Sequence, residues 1–182
     1  MLTKTDIEKY FIAEKQASLL FLIIGIVAII TAIIFVLIYK NNFWRGAAIP
    51  LITIGLIQII IGFTIYKRSD ADRVRVVYAY DLNPNDLRAK ELPRIQTVNK
   101  NFIVYKWIEI ALILIGIILI IKFKSTAVYE NNWIGNAFWY GLGIALTLQS
   151  LLVLSSDYFA EKRALNYEML LKQKIEKSLE NK

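Results

Sequence analysis

The chain has 182 residues, 57% of them hydrophobic, a mean hydropathy of +0.47 and a formal net charge of +7. It contains no cysteine and no histidine, which excludes disulfides, thiol or imidazole catalysis and the usual zinc and haem ligand sets. In so apolar a chain the positive balance reads first as membrane topology, and aromatics interleave with basic residues only at the borders of apolar runs, so nucleic-acid binding is not expected.

Residues 1–16 are polar. Thr5 and Glu8 have capping-box spacing, and Ile7, Tyr10, Phe11 and Glu14 follow at helical spacing, so an amphipathic cytoplasmic helix lying in the interface is expected. Residues 17–39 carry no charge and reach ~34 Å as a helix, enough to cross a ~30 Å hydrocarbon core. The run is too long for a signal peptide and no small-x-small pattern follows it, so it reads as a retained anchor. A turn at 40–45 returns the chain, and span two covers 46–66, with Pro50 in its first turns and Lys67 and Arg68 closing it. The segment 67–101 reads as a cytoplasmic helical linker. Within it Ser69 and Asp72 suggest a helix start, Asn83 and Pro84 a second, and Pro93 a kink or a short break after Leu92.

Span three is charge-free only over 110–121. It becomes long enough as 102–123 if Lys106 and Lys122 snorkel to opposite interfaces, which leaves Glu109 about two turns inside. An outer loop at 124–132 leads to span four at 133–156. With neither Pro nor Gly after Gly143, that helix is expected to continue through the tail, 157–182. The fold expected is an all-α integral membrane protein of four transmembrane helices, arranged as two tandem in–out–in hairpins with cytoplasmic amphipathic helices.

Basic residues set the orientation. Lys4, Lys9 and Lys15, the nine from Lys67 to Lys106 and the six of the tail fall on one side; Lys40, Arg45, Lys122 and Lys124 fall on the other. The positive-inside rule places both termini and the linker in the cytoplasm. The two halves also resemble each other. At an offset of 91, Lys9, Phe11, Ile12, Lys15, Gly25 and Ile26 fall on Lys100, Phe102, Ile103, Lys106, Gly116 and Ile117, and Gln58 falls on Gln149. The pattern favours duplication, as a parallel repeat about an axis along the membrane normal.

Gln58 and Gln149 lie inside spans beside small residues and are expected chiefly as helix glue, the alternative being a polar path. Glu109 is a carboxylate inside a span and therefore a functional candidate; Lys106, three residues away on the same face, is its candidate partner, and Asp157, at the inner end of span four, is a second candidate partner for Lys106. These five make the candidate intramembrane polar site. Tyr167, Leu171, Ile175 and Leu179 give the tail an apolar stripe expected to bind a partner surface. Residues 10–15 and 158–163 are similar aromatic and basic tracts that read as two interface anchors, the alternative being a shared docking surface. The sequence offers no nucleophile–base pair, carboxylate cluster, phosphate-cradling loop or metal set, so no catalytic, cofactor or metal site is expected and the chain is not expected to be an enzyme.

In size, span number and two cytoplasmic termini the layout is similar to that of the immunity proteins of some pore-forming colicins, without a shared motif. That likeness implies a small membrane protein that recognises another membrane-inserted protein and blocks or recruits it. With no catalytic set and an apolar stripe on the tail, the expected role is non-enzymatic protein binding, as an adaptor or inhibitor. Heavy use of Ile, Lys and Asn suggests an AT-rich bacterial genome and hence the bacterial plasma (inner) membrane. Expected partners are the lipid bilayer and a protein, or a second copy of the chain. The alternative is a homo-oligomeric small transporter or channel using Glu109 and the glutamines.

Overall fold

The computed structural model describes residues 2–124 and 135–180, the last two by backbone alone. Among these residues the chain is all helix. α1 (Lys4–Ile34) is prolonged by a π-helical turn, Phe35–Tyr39; α2 is Asn42–Leu82; α3 (Pro84–Asp86) is a single turn; a second π turn, Leu87–Glu91, leads into α4 (Leu92–Phe123); and α5 is Asn136–Glu180. Four helices are long and apolar enough to cross a membrane. The expected outer loop, apart from Lys124, and Trp133 lie outside the described residues.

Local chemistry sets the helix ends, and several differ from expectation. α1 is capped by Thr3 and Asp6 rather than Thr5 and Glu8: the Asp6 N–H donates to Thr3 Oγ1 at 3.2 Å and the Thr3 N–H to Asp6 Oδ2 at 2.9 Å. The turn expected at 40–45 is shorter. Lys40 turns left-handed at φ 52°, and Asn41 Oδ1 accepts the Trp44 N–H at 3.1 Å, capping α2. Ser69 starts no helix; its hydroxyl donates to the Ile65 carbonyl at 2.7 Å inside an unbroken α2. Pro93 does not break the chain either. It lacks the N–H that would bond the carbonyl four residues back, and the turn before it, Leu87–Glu91, widens to π geometry.

The chain forms two compact units. The first combines Met1–Leu19, Phe63–Tyr105 and Ser156–Lys182. Its core is Leu2, Ile7 and Phe11 of α1, Val76 and Ala79 of α2, Leu87, Ile95 of α4, and Ala164, Tyr167 and Leu171 of α5. Burying each of the larger side chains contributes about 1.5–3 kcal/mol. Two expectations change here. The apolar face of residues 1–16 packs into this core, so it is not open to lipid. The tail stripe likewise finds its partner inside the chain: Tyr167 is 2% exposed, Leu171 is fully buried and Ile175 packs against them, while the Leu179 side chain lies outside the described set. A helix stripe with matching apolar faces on three neighbouring segments is covered by them at no association cost, so it is not left for another protein.

The second unit combines Leu20–Gly62 and Lys106–Ser155. Small residues make its helix crossings. A Cβ on Gly25 would lie 2.7 Å from the Gly55 carbonyl oxygen, and one on Gly116 would lie 2.9 Å from that of Gly143. A third crossing is reciprocal: a Cβ on Gly46 would fall on the Phe138 carbonyl, and one on Gly141 on the Phe43 carbonyl. Gly46 and Gly141 each follow a Phe-Trp-x step, Phe43-Trp44-Arg45 and Phe138-Trp139-Tyr140. Lipid gives apolar helices no hydrophobic reason to associate, so close backbone approach and van der Waals contact must hold them.

Candidate functional site

Two polar clusters stand out, one in each unit. In the first unit Glu91, at the end of the π turn, has a side chain only 3% exposed. One turn on, Arg94 donates to it twice, from Nη2 to Oε1 at 2.7 Å and from Nε to Oε2 at 2.9 Å. The bidentate fit fixes the guanidinium plane. The Tyr167 hydroxyl, from α5, donates to Oε1 at 3.2 Å, and Arg75 Nη2, from α2, lies 3.6 Å from Oε2. Arg94 also stands over the Phe11 ring at 5.4 Å, and Tyr10 stacks on Tyr167 with ring centroids 4.2 Å apart. α1, α2, α4 and α5 thus all contribute to one buried charge network.

Glu14 lies on the same side of α1 as Tyr10. Both of its side-chain contacts are long, 3.4 Å from the Tyr10 hydroxyl and 3.4 Å from the Ser69 hydroxyl. Burial pushes its carboxyl above the usual carboxylate range, and the Arg94 and Arg68 guanidinium groups only partly oppose this. Burial also raises the Tyr10 and Tyr167 phenols, helped by the charges of Glu14 and Glu91 respectively, so neither ionises at neutral pH. Burial works hardest against charge on Arg94, but its hydrogen bonds to Glu91 together with the negative charges of Glu91 and Glu14 outweigh it and raise its pKa. Arg94 Nη1 is buried and lacks a hydrogen-bond acceptor among the described residues. A permanently paired guanidinium and two permanently protonated phenols make a clamp, not an acid–base pair.

In the second unit Gln149 Nε2 donates to Gln58 Oε1 at 2.7 Å, and both side chains are buried. This bond joins two of the five residues of the candidate intramembrane site. Glu109 is buried, at 6% exposure, while Lys106 and Asp157 are half-buried. Lys106 and Glu109 stand one turn apart on α4, a spacing that puts them on neighbouring parts of one face. No group of three or more Asp and Glu side chains among the described residues is placed to hold a metal ion.

No protein-family model, curated protein or solved structure matches the chain.

Where the first unit meets solvent, the outer face of α2 is apolar: Val74 is 64% exposed, Tyr78 61% and Leu82 69%. The three are four residues apart and form one row on the helix. Beside them runs a shallow groove lined by Asp70, Ala71, Val74, Arg75, Tyr78, Ala79 and Asp86. The sequence reading passed over this row, since it saw the linker as charged and divided in two. The alternation of Val, Tyr and Leu every fourth residue was the available signal.

Proposed function

We propose that the chain is a small four-span protein of the bacterial inner membrane, with both termini and the central segment in the cytoplasm, that acts by binding another membrane-inserted protein. The topology is two tandem hairpins. The glycine crossings of α1 with α2 and of α4 with α5 support it, and the offset-91 matches, which include the Gly25–Gly116 and Gln58–Gln149 positions, support reading the hairpins as a duplicated pair. The excess of basic residues in the linker and both tails supports the orientation.

The observation that carries the binding role is the row Val74, Tyr78 and Leu82. If α2 leaves the hydrocarbon near Tyr66, these residues lie ~12, ~18 and ~24 Å beyond it by helical rise, whereas the headgroup layer adds only ~5–8 Å a side. Lipid does not reach them. An amphipathic helix of another membrane protein fits such a row and groove, with its apolar face on Tyr78 and polar flanks toward Asp70, Arg75 and Asp86. The tightly clamped core beneath gives that face a rigid support, which lowers the ordering cost of docking. The test is co-purification from native membranes. The wild-type chain is expected to bring one foreign membrane protein in stoichiometric amount, and Tyr78→Glu with Leu82→Glu to lose it while keeping the fold. Purified protein that converts a substrate, or moves a solute across liposomes by itself, would overturn the reading.

A further inference from the structure

Three helices of the first unit repeat one order of exposed side chains where their composition changes from apolar to polar. On α2 the order is Phe63, Tyr66, then Lys67. On α5 it is Tyr158 and Phe159, then Lys162, with the half-buried Arg163 beside it. On α4, which reaches its apolar run from the other direction, Lys100 comes first and Ile103, Val104 and Tyr105 follow. Each helix thus shows apolar or aromatic side chains and then a cation. The rings of Tyr158 and Phe159 lie edge to face at 5.6 Å, both in the open.

The spacing has a physical scale. By helical rise Lys67 lies ~1.5 Å beyond Tyr66, Lys162 ~6 Å beyond Tyr158, and Lys100 ~7.5 Å from Tyr105. All three distances fall within the ~5–8 Å depth of a headgroup layer, unlike the Val74 row. Lys67, Lys100, Lys162 and Arg163 make no ion pair among the described residues, whereas Lys4, Lys15, Arg75, Lys90, Arg94 and Lys172 all do. Four cations without an ion pair thus lie in the band that also bears the exposed rings; Lys9, Arg88, Lys174 and Lys177 of the same unit make none either among the described residues, and Lys15, paired with Asp70, stands over the Tyr66 ring at 4.8 Å. Amphipathic rings settle at the acyl–headgroup boundary, and a cation one turn further out meets phosphate.

We propose that this band is a docking surface for anionic phospholipid headgroups, with Tyr66, Tyr105, Tyr158 and Phe159 at the acyl boundary and Lys67, Lys100, Lys162 and Arg163 on the phosphate oxygens. Charge complementarity selects the occupant. A zwitterionic headgroup returns to each cation a positive charge along with the phosphate, while an anionic headgroup leaves net attraction. The proposal rests on the four-span reading but not on the protein-binding one.

The test uses the full chain in nanodiscs of phosphatidylcholine with a minority of phosphatidylglycerol, with retained lipids counted by native mass spectrometry after release. A juxtamembrane cation is worth roughly a fivefold preference for an anionic surface, so retention of phosphatidylglycerol over phosphatidylcholine by more than about tenfold is expected. The variant carrying Lys67→Gln, Lys100→Gln, Lys162→Gln and Arg163→Gln should fall towards parity with its near-ultraviolet tyrosine signal unchanged. A variant carrying Lys9→Gln, Arg88→Gln, Lys90→Gln and Lys177→Gln, four exposed cations outside the band, removes the same charge and should keep the preference. Equal retention of the two lipids by the wild type would overturn the proposal, as would a preference that survives in the fourfold band variant. Loss of a co-purifying protein from that variant with lipid retention intact would overturn it too, by assigning the band to a protein. Failure of the chain to insert into nanodiscs at all would instead sink the four-span reading, and the two failures are distinguishable.

Discussion

Replacing Glu91 by Gln keeps the shape of the side chain and removes its charge. Arg94 then stands in the first unit with its own side chain 18% exposed and no bidentate acceptor, and its Nη1 already lacks one. Removing one partner of a buried pair costs about 3–5 kcal/mol, because the remaining charge is left uncompensated. Partial exposure of Arg94 and the nearby Glu14 carboxylate reduce this, so about 2–4 kcal/mol is expected. For a unit of roughly 90 residues each kcal/mol shifts Tm by ~4–8 °C, which gives a fall of about 8–30 °C. The assay is thermal unfolding in nanodiscs followed by near-ultraviolet circular dichroism, which reads the stacked Tyr10 and Tyr167 directly. Glu91→Gln combined with Arg94→Met removes both charges and should recover more than half of the loss. A shift below about 2 °C for Glu91→Gln, or a double variant as damaged as the single, would refute the clamp.

Other consequences follow from the same geometry. Because burial raises the Glu14 carboxyl, its contribution to stability is fully present below its unfolded pKa and is lost as pH rises through the raised folded value; Asp6, Asp70 and Glu168 are lowered and act with the opposite sign, so Glu14→Gln should remove only the Glu14 component, read as the difference in Tm between variant and wild type across pH. Leu171→Ala should cost about 2–5 kcal/mol in the same unfolding assay, as a core position does; a change within ~0.5 kcal/mol would mean the tail stripe is free after all. Gly46→Ala or Gly141→Ala puts a Cβ on a backbone carbonyl, so each should destabilise the second unit by about 1–3 kcal/mol although Ala favours helices elsewhere, measured by resistance to denaturing detergent. Gln149→Leu should cost only about 0.6–2 kcal/mol in that assay and leave the protein folded.

The apolar runs announced the four long helices, because length and the absence of charge suffice for that. The meeting of Gln58 with Gln149 was legible in part, since each sat beside small residues on its own span. What the sequence did not reveal was where the amphipathic pieces would go. Ile7, Tyr10, Phe11 and the tail stripe were each seen as apolar faces, but periodicity gives a face and not its partner, and here each covers the other. Glu14 on the face of Ile7 and Phe11 was the clue to a buried charge network, since a carboxylate on an apolar face needs a cation. The Glu91–Arg94 pair, three residues apart, looked like any solvated helix pair until the π turn and Tyr167 enclosed it. Pro93 suggested a kink or a break because the chain's option of widening one turn has no sequence signature.

The most direct measurement is site-specific photo-crosslinking in native membranes from a reactive group placed at Tyr78, followed by mass spectrometry. The account expects one foreign membrane protein in stoichiometric yield, lost on Leu82→Glu and retained in the fourfold lipid-band variant. Crosslinks confined to a second copy of the chain, or none above those from a reactive group at Arg88, would contradict it.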